Sequence, residues 1–168
     1  IDLFAKFFTM YEDELKKNNA MDFDDLLINF YKLITTNDNI LESIQNKYTY
    51  FSVDEFQDTN KLQYDIIKIL ASKTKNILIV GDEDQSIYGW RGANIDNIFQ
   101  FQRDFPEVQV FKLEQNYRST KKILERANLI IKNNTNRLDK KLYTENDEGT
   151  DITYYQATNE TDEADYVV

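Results

Sequence analysis

The 168 residues contain no cysteine and no histidine, only four glycines, and no apolar run that approaches a membrane span. Without cysteine there is no disulfide framework, no thiolate zinc site and no thiol nucleophile. Without histidine, a Ser-His-Asp triad and an imidazole base are excluded, and general-base work falls to a carboxylate, a lysine or a tyrosine. A span needs about 20 consecutive apolar residues, so no membrane partner is expected. Positive charge is scarce too: 20 Lys and Arg against 30 Asp and Glu give a net charge of -10. Such a chain repels nucleic acid as a whole. That excludes a simple electrostatic binder but not a site built on stacking and a few local cations. The cysteine usage makes the cytoplasm the expected compartment. One further absence bears on chemistry. The phosphate-cradling loop G-x-x-x-x-G-K-[ST] needs a lysine behind a glycine, and none of Gly81, Gly89, Gly92 or Gly149 precedes one.

What is present alternates between helical and strand patterns. Leu3, Phe4, Phe7, Phe8, Tyr11 and Leu15 share one helical face, and "MDFDDLLINFYKLI" repeats that spacing behind a capping Asp22. A short helix is predicted near Ile40 to Gln45. "YTYFSV" reads as a β-strand ending at Asp54, and "NILIVGDED" as a second, buried strand through Ile77 to Val80. Between them, "NKLQYDIIKILAS" predicts a helix burying Leu62, Ile66, Ile67 and Leu70. Further on, a helix is expected near Ile95 to Phe101, then a strand "VQVFKL". Next comes a helix with Ile123, Leu124, Ala127, Ile130 and Ile131 inward, and last a strand "DITYYQA". Residues 133–149 read as a polar connector. In "TDEADYVV", Thr161 is the expected cap of a terminal helix, and both chain ends read as cut from a longer protein. Strands alternating with helices imply a parallel α/β sheet, whose ligands sit at the strands' carboxyl ends.

Two acid clusters fall at such ends, Asp54-Glu55 and Asp82-Glu83-Asp84. An apolar strand running into Asp-Glu suits magnesium, with the Asp holding the ion through water and the Glu turned toward an attacking water. A solvated strand end with helix-capping acids would leave the same two letters.

Longer stretches carry a resemblance. "DEFQDTN", "VGDEDQSIYGWRGA" and "LEQNYRST" resemble, in order and at matching spacing, motifs II, III and IV of the UvrD/Rep/PcrA group of superfamily 1 DNA helicases. The similarity runs from Asp22 through "NRLDKKLYTENDEG" and covers most of the chain. It implies an α/β, RecA-like P-loop NTPase fold, here partial: residues 1–113 as the later part of a first RecA-like domain and 114–168 as the start of a second. It implies ATP and Mg²⁺ as cofactors and single-stranded DNA and duplex junctions as partners. Protein partners in repair or replication remain unspecified.

Residue by residue, the resemblance makes Asp54 the magnesium ligand and Glu55 the group that activates water, with Gln57 linking this strand to the neighbouring motif. Gln85 resembles the γ-phosphate sensor, Tyr117 the ring stacked on adenine and Arg118 an arginine finger. Gln85 as a backbone-bonded loop residue and Arg118 in a surface ion pair are the plainer alternatives. Tyr88 and Trp90 resemble a platform for unpaired bases, against the plainer reading of a hydrophobic anchor. Arg91 is left between a DNA phosphate and a coupling role, and Asp58 is given no chemistry. The acids of "MDFDDLL" are read as helix caps. The implied activity is ATP-driven 3′ to 5′ movement and unwinding, with the P-loop expected upstream and this stretch inactive by itself. Two alternatives stand beside it: the motor part of a recombination helicase-nuclease, and a non-catalytic DNA- or partner-binding remnant.

Overall fold

The computed structural model describes residues 2–134, 138 and 140–168, and the chain divides into two compact units, Ile1–Val108 and Gln109–Val168. Part of the connector expected at 133–149, residues 135–137 and 139, lies outside the described residues.

In the first unit, helices α1 (Asp2–Lys17), α2 (Phe23–Thr36) and α3 (Asp38–Lys47) precede strand β1 (Phe51–Val53). The acids of "MDFDDLL" do cap α2: Asp22 accepts from the Asp25 N–H at 2.9 Å, and Asp25 accepts from the Asp22 N–H at 3.3 Å. Two orphan N–H groups of the first turn are thereby satisfied. Helix α4 (Lys61–Ala71) starts with the same device, built by Asn60 and Gln63. It leads back to β2 (Ile77–Ile79), which pairs in parallel with β1 in the register Phe51↔Ile77, Ser52↔Leu78, Val53↔Ile79. Parallel neighbours need such a crossover, and α4 supplies it. Helix α5 (Asp96–Asp104) completes the unit.

The core of this unit is aromatic. Phe56, Tyr64, Ile98 and Phe101 are buried together, with Val53, Ile77 and Ile79 packed against them from the sheet. Phe56 meets Tyr64 and Phe101 edge to face, at 6.0 and 5.9 Å between ring centroids, the geometry that ring quadrupoles favour.

The sheet is smaller than the sequence suggests. Residues 108–113 and 151–157, both expected as strands, form no regular element and have no ladder partner among the described residues. β-branched and aromatic composition reports fitness for a pleated surface, while a strand exists only where a neighbour accepts its hydrogen bonds. The expected burial of β2 on both faces is corrected as well, since Leu78 is 58% exposed. Of the residues expected to face inward on α6 (Lys121–Ile131), Leu124 is buried, whereas Ile123, Ala127 and Ile130 are exposed. In α4, Ile66 is buried as expected, Leu62, Ile67 and Leu70 are half-buried, and Tyr64 joins them unpredicted.

The second unit is held by backbone crossings more than by a core. Residues 114–116 and Tyr143 exchange hydrogen bonds, Tyr143 N–H to the Glu114 carbonyl at 3.0 Å and Asn116 N–H to the Tyr143 carbonyl at 2.7 Å. The first N–H groups of α6 donate to the Asp147 and Glu148 carbonyls, both at 3.2 Å. Gly149 lies at φ +79°, where a Cβ would meet Thr120 within 2.4 Å, so only glycine fits. Helix α7 (Glu160–Val167) is capped by Asn159, which accepts from Asp162 N–H, and the expected cap Thr161 falls inside the helix.

One half-buried polar node ties α4 to α5. The Tyr64 hydroxyl donates to Asp104 at 2.6 Å, and Lys68 and Gln100 reach the same carboxylate at 2.9 and 3.1 Å. Burial raises the Asp104 pKa, but the bonds from Tyr64, Lys68 and Gln100 outweigh it and hold the carboxyl below its usual value. Burial, with Asp104 second, pushes the Tyr64 phenol well up. A depressed carboxyl stabilises the fold above its unfolded pKa and loses that contribution as pH falls through the folded value. Tyr64→Phe therefore destabilises the protein by about 1.5–3 kcal/mol at neutral pH, the range for a hydrogen bond to a charged group. In denaturant titrations the gap between variant and wild type narrows as the pH drops below about 4. A gap that stays constant through that range would refute the assignment.

Candidate functional site

Because β1 and β2 are parallel, the chain leaves both at the same end, and the two departing segments stay joined. The Val80 N–H donates to the Val53 carbonyl at 2.8 Å, and the Phe56 N–H returns to the Val80 carbonyl at 3.0 Å. Between these bonds lie Asp54 and Glu55, both exposed. Glu55 sits at φ +49°, in the left-handed region. A non-glycine residue held there costs on the order of 1–3 kcal/mol and persists only where its surroundings over-determine it. Phe56, buried directly after it in the aromatic core, is one such constraint.

Gln57 is the other. Its side chain is 1% exposed. Its amide donates to Glu55 Oε2 at 2.7 Å and accepts from the Asp82 N–H at 3.0 Å. Ser86 Oγ donates to the Gln57 carbonyl at 3.5 Å. A neutral amide can do both because it carries donor and acceptor together. Gln57 thus joins the segment after β1 to the segment after β2.

In that second segment Asp82 caps a short 3₁₀ turn, accepting from the Asp84 N–H at 3.0 Å, and its other oxygen accepts from the Gln85 amide at 2.7 Å. Gln85 is exposed. A second turn over Gly89–Arg91 presents Trp90, which is 79% exposed. The rings of Tyr88 and Trp90 lie 6.5 Å apart at 55°. The Arg91 guanidinium sits over both, 5.9 Å from Tyr88 and 5.3 Å from Trp90. Tyr88 is exposed to a lesser degree than Trp90, at 38%.

In the second unit Tyr117 and Arg118 ride a tight turn. Asn116 Oδ1 accepts from the N–H groups of Arg118 and Ser119, at 2.9 and 2.7 Å. Asn146 donates to the Tyr117 and Ser119 carbonyls at 3.3 and 3.1 Å. Tyr117 is exposed and its hydroxyl donates to Gln115 at 2.9 Å. The guanidinium of Arg118 has no ion pair among the described residues.

The donors suit one class of ion. Asp54 offers an exposed carboxylate whose Oδ1 accepts from the Glu55 N–H at 2.9 Å. Among the described residues no group of three or more acids, histidines or cysteines is gathered to enclose a metal. One hard oxygen ligand fits magnesium, which keeps several waters and takes further ligands from a substrate's phosphates.

Sequence reading missed Gly81, Thr59 and Asn97. A Cβ on Gly81 would lie 2.8 Å from Gln57 Oε1 and 3.3 Å from the Phe56 nitrogen. Asn97 carried a faint signal, an amide among apolar residues in a helix where asparagine is a poor former. Gly81→Ala should break the Asp82–Gln57 bond and cost about 1–3 kcal/mol for the stranded polar groups. Gly89→Ala, with nothing within 4 Å of the added atom, should cost nothing by comparison. Denaturant midpoints of the two variants check this, and equal midpoints would sink it.

Comparison with known proteins agrees in both units. The UvrD/REP helicase N-terminal domain matches residues 1–106, and the UvrD-like helicase C-terminal domain matches residues 111–168. The ATP-dependent DNA helicase PcrA of Staphylococcus aureus is 52% identical over 164 residues, covering 98% of this chain. PcrA of Staphylococcus epidermidis is 54% identical over 158 residues, covering 94%. The chain spans 22% of the length of these relatives. Both domain matches fall on one lineage, and the chain belongs to the UvrD/REP helicase family.

Proposed function

We propose that the chain is part of an ATP-driven motor that moves 3′ to 5′ on single-stranded DNA and opens duplex junctions in repair or replication. The observation that carries this reading is the buried Gln57 amide. It ties Glu55, at the end of β1, to the loop that bears Gln85 and Trp90, at 2.7 and 3.0 Å. Hydrolytic and base-binding groups are then two ends of one small framework. The relatives named as ATP-dependent DNA helicases point the same way.

Acids at the carboxyl ends of parallel strands support a RecA-like core, with residues 1–113 as the later part of one such domain and 114–168 as the start of the next. Magnesium, when bound with ATP, supplies charge neutralisation across the phosphate oxygens. Asp54 holds it. Glu55 orients and deprotonates the attacking water, its carboxylate aimed by Gln57. Gln85 senses the γ-phosphate. Tyr117 stacks on adenine, and Arg118 stabilises charge on the transferring phosphoryl group. Tyr88 and Trp90 stack on unpaired bases, a mode of binding that tolerates a net-acidic chain because every base offers a π-face. Arg91, already drawn over both rings, faces the adjacent DNA phosphate.

In the full-length protein, Glu55→Gln keeps the bond to Gln57, since an amide oxygen also accepts. ATP binding should persist while phosphate release falls by about 10²–10⁴-fold, the usual worth of a general base. Near-normal turnover would remove Glu55 from this role. Trp90→Ala should weaken binding to oligo-dT by about 1–3 kcal/mol per lost stack, with an unchanged salt slope because no phosphate contact is lost. Fluorescence anisotropy across a salt series reads both quantities, and a flattened slope would show that Trp90 acts otherwise.

A further inference from the structure

The loop that bears Trp90 is fixed at both ends to one tetrapeptide. At its start, Gln57 holds the Asp82 N–H and, through its carbonyl, Ser86. At its end, the Asn94 N–H donates to the Thr59 carbonyl at 3.0 Å, and Asn60 and Ala93 form an antiparallel bridge. Asn97 closes the arrangement. It is 1% exposed, and its amide reaches the Thr59 carbonyl at 2.9 Å, Thr59 Oγ1 at 3.1 Å and the Asn60 carbonyl at 3.2 Å. Thr59 Oγ1 in turn donates to the Phe56 carbonyl at 2.7 Å. Phe56 follows Glu55 directly. A chain of short, buried hydrogen bonds therefore runs from the far end of the base-stacking loop to the residue beside the water-activating acid.

We propose that Asn97 and Thr59 are positioning residues that couple base stacking at Trp90 to the setting of Glu55. This rests on the motor reading above. Neither residue meets nucleotide or DNA; both act through the segments they fasten. The buried position matters, because a hydrogen bond shielded from water cannot be exchanged for one to solvent when the loop is pulled. With the Asn97 amide gone, the far end of the loop would keep only its backbone contacts, Asn94 to Thr59 and Ala93 to Asn60. Thr59 Oγ1 would lose the donor that sets its bond to Phe56, so that a shift at Trp90 would be passed to Phe56 and Glu55 less faithfully. Coupling between two ligands is reciprocal, so loss in one direction is loss in the other.

The experiment uses the full-length protein. Affinity for oligo-dT is measured by fluorescence anisotropy with and without a non-hydrolysable ATP analogue, and ATP hydrolysis with and without oligo-dT. In the wild type the analogue should change DNA affinity by about 5–150-fold, the usual span of allosteric coupling. Asn97→Ala should bring that ratio close to one while each ligand alone still binds. Thr59→Val should act in the same direction, Thr59→Ser should restore the wild-type ratio, and the double variant should lose no more than Asn97→Ala alone. A merely structural role would weaken both ligands in parallel and leave the ratio intact, and that result overturns the inference while sparing the motor. Where Asn97→Ala fails to fold by circular dichroism, the Thr59→Val and Thr59→Ser pair decides by the same ratio. A wild type that neither binds oligo-dT nor hydrolyses ATP in response to it overturns both readings together.

Discussion

Gln57 and Thr59, the buried residues of the segment Gln57–Asn60, must satisfy their polar groups without water, and much of the site follows from how they do so. Both lie next to an aromatic core, where local partners are few: the Glu55 carboxylate for Gln57 and the Phe56 carbonyl for Thr59. An unpaired buried polar group costs about 1–3 kcal/mol. Their remaining partners come from the stretch 82–97, which follows the neighbouring strand. Those bonds give the loop its shape. They also explain how a turn with an exposed tryptophan at its tip stays ordered with little apolar anchorage of its own: the order is supplied at its feet.

Charge sets a second constraint. Asp54, Glu55, Asp58, Asp82, Glu83 and Asp84 stand close in sequence to the two strand ends, in a chain that is acidic overall. Phosphate groups would be repelled from such a surface unless cations intervene. In the first unit Arg91 lies over its own rings; in the second, Arg118 has no acid paired with it among the described residues. A hydrated divalent ion at Asp54 would turn the local sign. Stacking, which needs no basic field, would suit a nucleic-acid partner of so acidic a chain.

Motifs dense in chemistry were legible because their letters are dictated by what they touch. The acids after β1, the capping Asp22 and the helices α1 to α6 all read directly from pattern. The sheet did not. Residues 108–113 and 151–157 have strand composition, yet pairing is a property of the neighbour and not of the segment. Burial on α6 failed for a related reason: Ile123 and Ile130 lie in a helical pattern, and periodicity identifies a face without identifying its cover. Asn97 and Thr59 were passed over because a buried amide or hydroxyl looks ordinary until its partners, 37 or 38 residues away, are known.

A common device emerges from these local solutions. Glu55 is aimed by the amide of Gln57, the Trp90 loop is fastened by the amide of Asn97, and the turn carrying Tyr117 and Arg118 is shaped by the amides of Asn116 and Asn146. Amides both donate and accept, and they carry no charge at any pH. A lysine or carboxylate in these supporting positions could bond as well. It would, however, add its own field beside the acids and the guanidinium that these turns present. Neutral supports leave the electrostatics to the groups that meet the ligand. In a chain without histidine, they also keep the framework's geometry independent of protonation near neutral pH, so that its shape answers to what is bound.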